Sequence, residues 1–545
     1  MRPVYRFLFT GSQAVHVIFK RIEPKEPLVH AILLVGSPAL LSLLLAPYFG
    51  TLETITATFF VFFTSLTTSI VLYRLSPFHP LAHYPGPLSH KVSRLAFARI
   101  ASRGRPHVYI QQLHKQYGDI VRVGPNEVSI CDASAIPAML GTTGFPKSDK
   151  YMARSLWPPI PSLIATSGEE HVIHRKWWNR GFSSAALKDY EQIVAQHVLQ
   201  LGNLLMQRNE SVELGTLFSL FTFDVISDIA FGEGPNMLAN GDTGGVWSVP
   251  VAVYLNIPWV AMYTRKLAAF GSNRTIKRFR MYAVQRAKDR VEQGSLYKDL
   301  FYYLNNEDGA EKEGRPLSRV INDGTLAIVA GADTTANVLT NVFYFLLSDF
   351  AEYQHLQAEV DKYYPPGESA LDTKYHQSMP ILNAVINEAL RLIPVVPGGS
   401  QRTAPPGGKV VGPYYLTEGT DSVIHAYSVN RDSRNFAPHT SSFWPDRWLI
   451  ASGDRTPAEA GIDESAFVHN ASAFIPFSFG PANCVGKNLA LQEMRMAICH
   501  IMQRVDVRFA PGFDPTSYEE NLHDYFVIHR AEIFVEVNPR GKGPA

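Results

Sequence analysis

Two uncharged runs dominate the start of the hydrophobic pattern. From Pro27 to Leu52 there is no Asp, Glu, Lys or Arg, and after Glu53 a second such run goes from Thr54 to Tyr73, closed by Arg74. Each is about the length a helix needs to cross a hydrocarbon layer roughly 30 Å thick. Gly36, Pro38 and Pro47 make the first run the less regular helix. The second, rich in Phe, Val, Ile and Thr, is the better span. The residues before the first run carry Arg2, Arg6, Lys20, Arg21 and Lys25 and fit poorly with a cleaved secretory signal. Basic residues flank the pair on both outer sides, which places both ends in the cytosol. The expected organisation is a basic segment (1–26), one or two membrane-spanning helices (27–74), a Pro-rich hinge (75–87) and a body (88–545). In the hinge, Ser76-Pro77-Phe78-His79-Pro80 and Tyr84-Pro85-Gly86-Pro87 restrict the backbone to extended conformations.

In the body the apolar positions recur with helical spacing. The pattern predicts helices over Ala165–Arg180, Leu187–Gln207, Leu217–Ala230, Ser318–Ser348, Glu352–Tyr363, Met379–Leu392 and Gly486–Arg504. Strand-like pieces are few and short: Ile120–Val123, Val128–Cys131, Lys409–Val411, Ser422–His425 and Val527–Val537. Many helices with short strands indicate a mainly α body of the α+β class with small sheets. No G-x-G-x-x-G opens a βαβ unit and no Walker-type loop occurs, so the chain lacks the usual marks of its own dinucleotide or ATP site.

Composition narrows the function classes. With 46% hydrophobic and 18% charged residues in 545, a disordered chain is excluded. Fifty basic against 49 acidic side chains give a net charge of +1, which disfavours nucleic-acid binding through a basic face. Three cysteines, Cys131, Cys484 and Cys499, cannot form a disulfide scaffold. Cys131 sits among strand residues and Cys499 within a helix, and both read as core positions.

Cys484 differs. It lies in Phe477-Ser478-Phe479-Gly480-Pro481-Ala482-Asn483-Cys484-Val485-Gly486, immediately before an amphipathic helix. Unpaired N–H groups at a helix start favour a thiolate. Gly480 and Gly486 let backbone approach a flat group closely, and Phe477 can shield the sulfur from water. These are the requirements of a thiolate ligand to haem iron. Neither a second zinc ligand at suitable spacing nor a C-x-x-C-H attachment is present.

This stretch resembles the cytochrome P450 family, the haem-thiolate monooxygenases, whose signature is F-x-x-G-x-R-x-C-x-G. Phe477, Gly480, Cys484 and Gly486 match, while Ala482 replaces the arginine that pairs a haem propionate. Three further stretches look like family motifs in the family's order. Glu388-Ala389-Leu390-Arg391 is similar to E-x-x-R, with Arg447 of Pro445-Asp446-Arg447-Trp448 as the third member of a buried structural triad. Ala330-Gly331-Ala332-Asp333-Thr334-Thr335 is similar to A-G-x-D-T-T. In it a Thr hydroxyl can bond the carbonyl four residues back and bend the helix. His171 and Arg175 stand in place of W-x-x-x-R, and with Arg402 they are the expected propionate partners compensating for Ala482.

The resemblance covers roughly residues 80–540 and implies a single large P450 fold behind an N-terminal anchor, similar to the microsomal type of fungi. It implies haem b as cofactor with Cys484 as iron ligand, Asp333 and Thr334 as the proton relay to dioxygen, and an oxygen groove shaped by Ala330 and Gly331. Val395 to Pro397 are implied to line a cavity for a lipophilic substrate, such as a terpenoid secondary metabolite or an aromatic xenobiotic. Because no flavin or nicotinamide motif is present, electrons are expected from NADPH-cytochrome P450 reductase, with cytochrome b5 as an optional second partner, at the endoplasmic reticulum membrane. The alternatives are a reductase-independent peroxide isomerase or dehydratase and a non-enzymatic haem binder.

Overall fold

The computed structural model describes residues 2–540 except 23, 25, 44–45, 48–49, 155–159, 209, 243–273 and 296. The N-terminal 75 residues contain more helix than their apolar runs suggest. Helix α1 (Arg2–Arg21) occupies most of the segment read as merely basic. Helix α2 (Pro27–Ser42) follows with a π-helical turn at Ile32–Gly36, and α3 (Thr51–Leu75) is the long apolar helix. The inner face of α1 mixes buried Leu8 and Val15 with polar groups that meet hydroxyls of α3: Ser12 Oγ donates to Ser65 Oγ at 2.8 Å, and Ser69 Oγ donates to Gln13 Oε1 at 2.5 Å. His16 Nδ1 lies 2.7 Å from Ser69 Oγ. Phe7, Phe9, Val17, Leu28, Ile32, Leu40, Phe60 and Phe63 face outward. An apolar exterior over a hydroxyl-lined seam is the arrangement suited to a lipid surround.

The Pro-rich segment is stiff but does not hang free between two parts. Leu81 and Tyr84 are buried in a core cluster, and the Tyr84 hydroxyl donates to the Tyr415 carbonyl at 2.8 Å. The end of α3 is clamped as well: Arg74 Nη1 donates to Val92 O at 2.6 Å, and Arg122 Nη1 donates to Arg74 O at 3.2 Å.

The body is built round two apolar helices. α4 (Gly168–Gly181), α5 (Ser184–Gln207), α6 (Leu214–Phe231) and α7 (Leu317–Ser348) precede α8 (Pro380–Leu392) and α9 (Lys487–Arg504). α6 starts where Glu213 accepts from the N–H groups of Gly215 and Thr216, and it ends at left-handed Gly232. It is mostly apolar and buried on nearly every side, with Asp224 a buried exception whose carboxylate accepts from the Met237 and Leu238 N–H groups. It presses on α7 at two glycines two turns apart: a Cβ on Gly324 would lie 2.6 Å from the Phe231 ring, and one on Gly331 would lie 2.6 Å from Ile226. Thr222 Oγ1 donates to Ala332 O at 2.8 Å in the same seam. Although α6 and α7 are long and apolar enough to cross a membrane, their burial marks them as core.

Besides two small pairs, Lys409–Val411 with Tyr414–Leu416 and Phe436–Ala437 with Val468–His469, the described strands are β1 (Ile120–Gly124), β2 (Glu127–Ile130), β3 (Val212–Glu213), β4 (Arg402–Thr403), β5 (Asp421–Ile424), β6 (Val505–Phe509), β7 (His523–Tyr525), β8 (Val527–His529) and β9 (Phe534–Pro539). A four-stranded sheet has the order β1-β2-β5-β4, a three-stranded one β6-β9-β3, and β7 pairs β8. The continuous strand expected over Val527–Val537 is interrupted at Arg530–Ile533 and serves two sheets.

A buried ionic cluster ties α8 to the segment before the cysteine loop. Arg391 donates through Nε and Nη2 to the two oxygens of Glu388, each at 2.8 Å. Arg447 Nε donates to Glu388 Oε1 at 3.1 Å. Trp448 Nε1 and the Trp444 N–H also donate to Glu388, each at 3.0 Å. Further arginine N–H groups reach carbonyls of Asn430, Thr440, Ser442, Pro438 and His439, and Arg447 Nη1 is buried without a partner among the described residues. All three charged side chains are fully buried. Removing the carboxylate leaves two buried guanidinium groups uncompensated, so Glu388→Ala is expected to cost about 3–5 kcal/mol. Denaturant unfolding of the variant beside wild type measures this; a loss below about 1 kcal/mol, the range of an exposed pair, contradicts it.

Candidate active site

The loop before α9 is shaped by one glycine above all. Gly480 has φ 71°, and a Cβ there would collide with the Leu140 carbonyl. The turn closes when the Cys484 N–H donates to Phe477 O at 2.8 Å. Gly486 has ordinary φ, and a Cβ there would meet only the Phe182 ring at 3.6 Å. Phe477 is partly buried against the core, with Lys487 Nζ 5.9 Å from its ring centre.

Cys484 has an exposed side chain. Yet it is surrounded by so much protein that burial is the main influence on its thiol, pushing it up. Both hold for a sulfur on the wall of an internal cleft. Opposing burial are the backbone N–H groups of Gly486 and Lys487, which bond the sulfur at the start of α9, and the charge of Arg175. Cys131 and Cys499 are buried in the core, where burial raises each thiol, to about 12 for Cys131.

α7 opens onto the interior along one stripe. Val329 and Ala330 are exposed and Asp333 and Thr334 half-buried, in a stretch whose next turns are buried. The i, i+3, i+4 spacing puts them on one face. Thr334 Oγ1 donates to Ala330 O at 2.7 Å. Burial raises the Asp333 carboxyl, against the lesser influence of Arg530 and His529 from the strand interruption. Gly331 does not lie with this stripe; its small size is demanded by Ile226 on α6. Glu493 of α9 hydrogen-bonds Thr335 of α7, and complete burial holds its carboxyl well above the usual range. This neutral acid pins the helix bearing the cysteine to the helix bearing Asp333.

A third group is cationic. Arg175 donates Nη1 to Asn483 O at 2.5 Å, Nη2 to Asn483 Oδ1 at 2.7 Å and Nε to Asn179 Oδ1 at 2.8 Å. Arg402 is buried, with Nη1 on Gln401 O at 3.1 Å. His171 is buried without a hydrogen bond among the described residues. Burial, together with Lys147, Arg175 and Arg402, lowers its imidazole to about 4. Lys147, which the sequence did not single out, joins them. Val395 and Pro397 are buried, and only Val396 of that segment keeps exposed surface.

An exposed sulfur on an interior wall, an open stripe of small and acid–alcohol residues, and a cationic group without carboxylates fit an iron porphyrin with its two propionates. No group of His, Cys, Asp and Glu side chains among the described residues is arranged to hold a metal ion by itself. The family model described as Cytochrome P450 matches residues 85–537, more than half the chain, which belongs to this family. Similar proteins include "Cytochrome P450 67" of Uromyces fabae, 30% identical over 97% of this chain and 98% of its own length. "Cytochrome P450 monooxygenase FCK2" of Fusarium pseudograminearum is 33% identical over 85% of this chain and 82% of its own. "Tryprostatin B 6-hydroxylase" of Aspergillus fumigatus is 28% identical over 86% and 82%. The chain is thus an enzyme of the P450 monooxygenase type, a family that binds haem iron.

The two loop glycines separate what the chain needs from what a bound group needs. Gly480→Ala, which combines a left-handed φ with a backbone clash, is expected to cost about 1–3 kcal/mol, and Gly486→Ala less than about 0.5 kcal/mol. Equal shifts of the denaturant midpoint in the two variants contradict this reading.

Proposed function

We propose that this enzyme binds haem b through Cys484 and inserts one oxygen atom of O2 into a lipophilic small molecule, a terpenoid-like secondary metabolite or an aromatic xenobiotic. Electrons come from NADPH through a separate reductase, with cytochrome b5 as an optional donor. The observation that carries the reading is Cys484 sulfur on an interior wall, bonded by the first N–H groups of α9, while packed α7 opens its Ala330–Thr334 stripe. A relative named as a hydroxylase supports C–H oxygenation.

When bound, the haem would supply dioxygen activation, favoured by electron donation from the Cys484 thiolate that would hold its iron. The chain's own groups do the rest. The N–H groups of Gly486 and Lys487 with Arg175 favour the sulfur anion against burial. Burial raises the Asp333 carboxyl and so favours its holding a proton, which it can pass to Thr334 Oγ1 on the same face. Thr334, tied to the Ala330 carbonyl, presents its oxygen to the cleft. Arg402, Arg175 and His171 would hold the propionates. Ala330, small and exposed, would leave room for dioxygen, and Val396 offers an apolar wall to substrate.

The apolar exterior of α1–α3 supports anchorage in the endoplasmic reticulum membrane with the body in the cytosol, where reductase and dissolved substrate share one layer. In this setting α1 contributes to the anchor beside the one or two spans of residues 27–74.

Cys484→Ala is expected to abolish the thiolate-type band of the reduced carbon-monoxide complex; a retained band reassigns the ligand. Thr334→Ala is expected to lower product formed per NADPH consumed by about tenfold or more, the scale of losing a positioned proton donor. Product analysis with reductase, NADPH and a panel of terpenoids, steroids and polycyclic aromatics measures this. Oxygenated product formed without NADPH contradicts the proposed reaction.

A further inference from the structure

Cations from four separate places meet where α3 enters the body. Helices α1 and α3 run parallel: Ser12, Gln13 and His16 meet Ser65 and Ser69 in the same order along both helices. The shared direction carries Lys20, near the end of α1, to the level of Tyr73, whose ring centre lies 3.9 Å from Lys20 Nζ. Arg74 follows in the last turn of α3, and its Nη1 donates to Val92 O at 2.6 Å. Val92 ends a short helix (Leu88–Val92) that contains Lys91. Arg122 of β1 closes the group, with Nη1 on Arg74 O at 3.2 Å and Nη2 3.2 Å from His79 Nε2.

The group lacks a counter-charge. None of Lys20, Arg74, Lys91 and Arg122 forms an ion pair among the described residues. Glu127 of the adjoining sheet is committed elsewhere, 2.7 Å from Arg94 Nη2 and 2.9 Å from Lys150 Nζ. Arg122 is fully buried and spends Nε and Nη2 on Pro125 O, a neutral acceptor. Burial and the charge of Arg74 lower its guanidinium to about 10. Burial and Arg122 likewise lower the Lys91 ammonium. Burial, then Arg122, Arg74 and Lys20, lower the His79 imidazole to about 4, against a hydrogen bond with Asn126. Cations drawn out of water without an opposite charge are costly.

Donors remain open at the surface. Arg74 engages one of its five N–H groups, and the ammonium groups of Lys20 and Lys91 have no hydrogen bond among the described residues. Lys20 is exposed, and Arg74 and Lys91 are half-buried. The group lies at the end of a 25-residue apolar helix, the level at which a bilayer places its phosphates. A zwitterionic headgroup would add an ammonium of its own to the set. A headgroup of net negative charge brings the missing charge alone.

We propose that Lys20, Arg74 and Lys91, backed by Arg122, form a binding site for the phosphate of an anionic phospholipid at the cytosolic face of the membrane. The inference rests on the anchorage reading above and deepens it. One bound headgroup joins α1 and α3 of the anchor to the first helix of the body and offsets the repulsion among their cations.

The test uses full-length holoenzyme in vesicles of phosphatidylcholine with a minor share of phosphatidylinositol. The protein is extracted in mild detergent, and the lipid it retains is quantified by mass spectrometry. Wild type is expected to retain phosphatidylinositol in excess of its share in the vesicle. Lys20→Met combined with Lys91→Met keeps both stems and removes two charges, and it is expected to lower that excess by about tenfold or more. Lys188→Met combined with Lys298→Met removes the same charge from exposed positions elsewhere on the body and is expected to leave the excess within about twofold of wild type. No excess in wild type, or an unchanged excess in the Lys20 and Lys91 variant, overturns the proposal. An equal fall in both variants also overturns it, because that outcome marks net charge and not a site. Displacement of the retained lipid by inorganic phosphate overturns the lipid assignment in favour of a soluble anion, and retention in its presence supports it. Should the double variant not fold, Lys20→Met alone, at an exposed position, decides by the same readout. Wild type that fails to float with pure phosphatidylcholine vesicles would instead sink the anchorage reading itself.

Discussion

Holding the Cys484 sulfur inside an apolar body, where burial raises its thiol and helix-start N–H groups and Arg175 oppose that rise, is the constraint to which the rest of this structure answers. Burial alone drives a thiol towards its neutral form, as at Cys131 and Cys499. At Cys484 the same burial is opposed by two helix-start N–H groups and by Arg175. Each opposing element needs its own support. The N–H groups point at the sulfur only because Gly480 turns left-handed under Leu140. Arg175 reaches the loop by gripping Asn483 at its carbonyl and its amide oxygen. The neighbour of the cysteine thus serves as a handle, although the family signature leaves that position unspecified.

Rigidity around this sulfur comes from polar groups buried at high cost and engaged through most of their donors and acceptors. Glu388 accepts four donors besides Arg391 Nε, and its two arginines are spread over five backbone carbonyls. That accounting explains why the cluster is tolerable: stranded charge is what makes buried ion pairs destabilising. Glu493 solves the same problem differently. With Thr335 as its bonded partner, its carboxyl stays neutral and joins two helices without adding a charge.

The long helices were legible because their apolar spacing is regular over many turns. Gly168–Gly181, Ser184–Gln207, Leu317–Ser348 and Lys487–Arg504 fall within a few residues of expectation. What escaped depends on partners that sequence spacing does not show. α1 was hidden because Ser12, Gln13 and His16 interrupt its apolar residues, and only the facing hydroxyls of α3 turn that polarity inward. The interruption at Arg530–Ile533 lies in a run that alternates like a strand on both sides; two different sheets pull it apart. Gly331 sits in a motif read for its groove, yet its Cβ position belongs to Ile226. Lys147 and Lys150 carry the same residue type in one short loop, and only Glu127, Asp421 and Arg402, far away in the chain, tell them apart.

The Pro-rich segment links these electrostatics to the proposed membrane setting. A free hinge would let the body sample many orientations above a bilayer. Here Leu81 and Tyr84 enter the core, and the Arg122 N–H donates to Pro85 O at 2.7 Å. Arg122 also bonds the last turn of α3 and approaches His79. The same guanidinium therefore grips the anchor, the Pro-rich segment and, through Pro125 O, the sheet that carries β4 and Arg402. Orientation of the cleft relative to α3 is thus a property of the packed body, and the four-stranded sheet is its common reference.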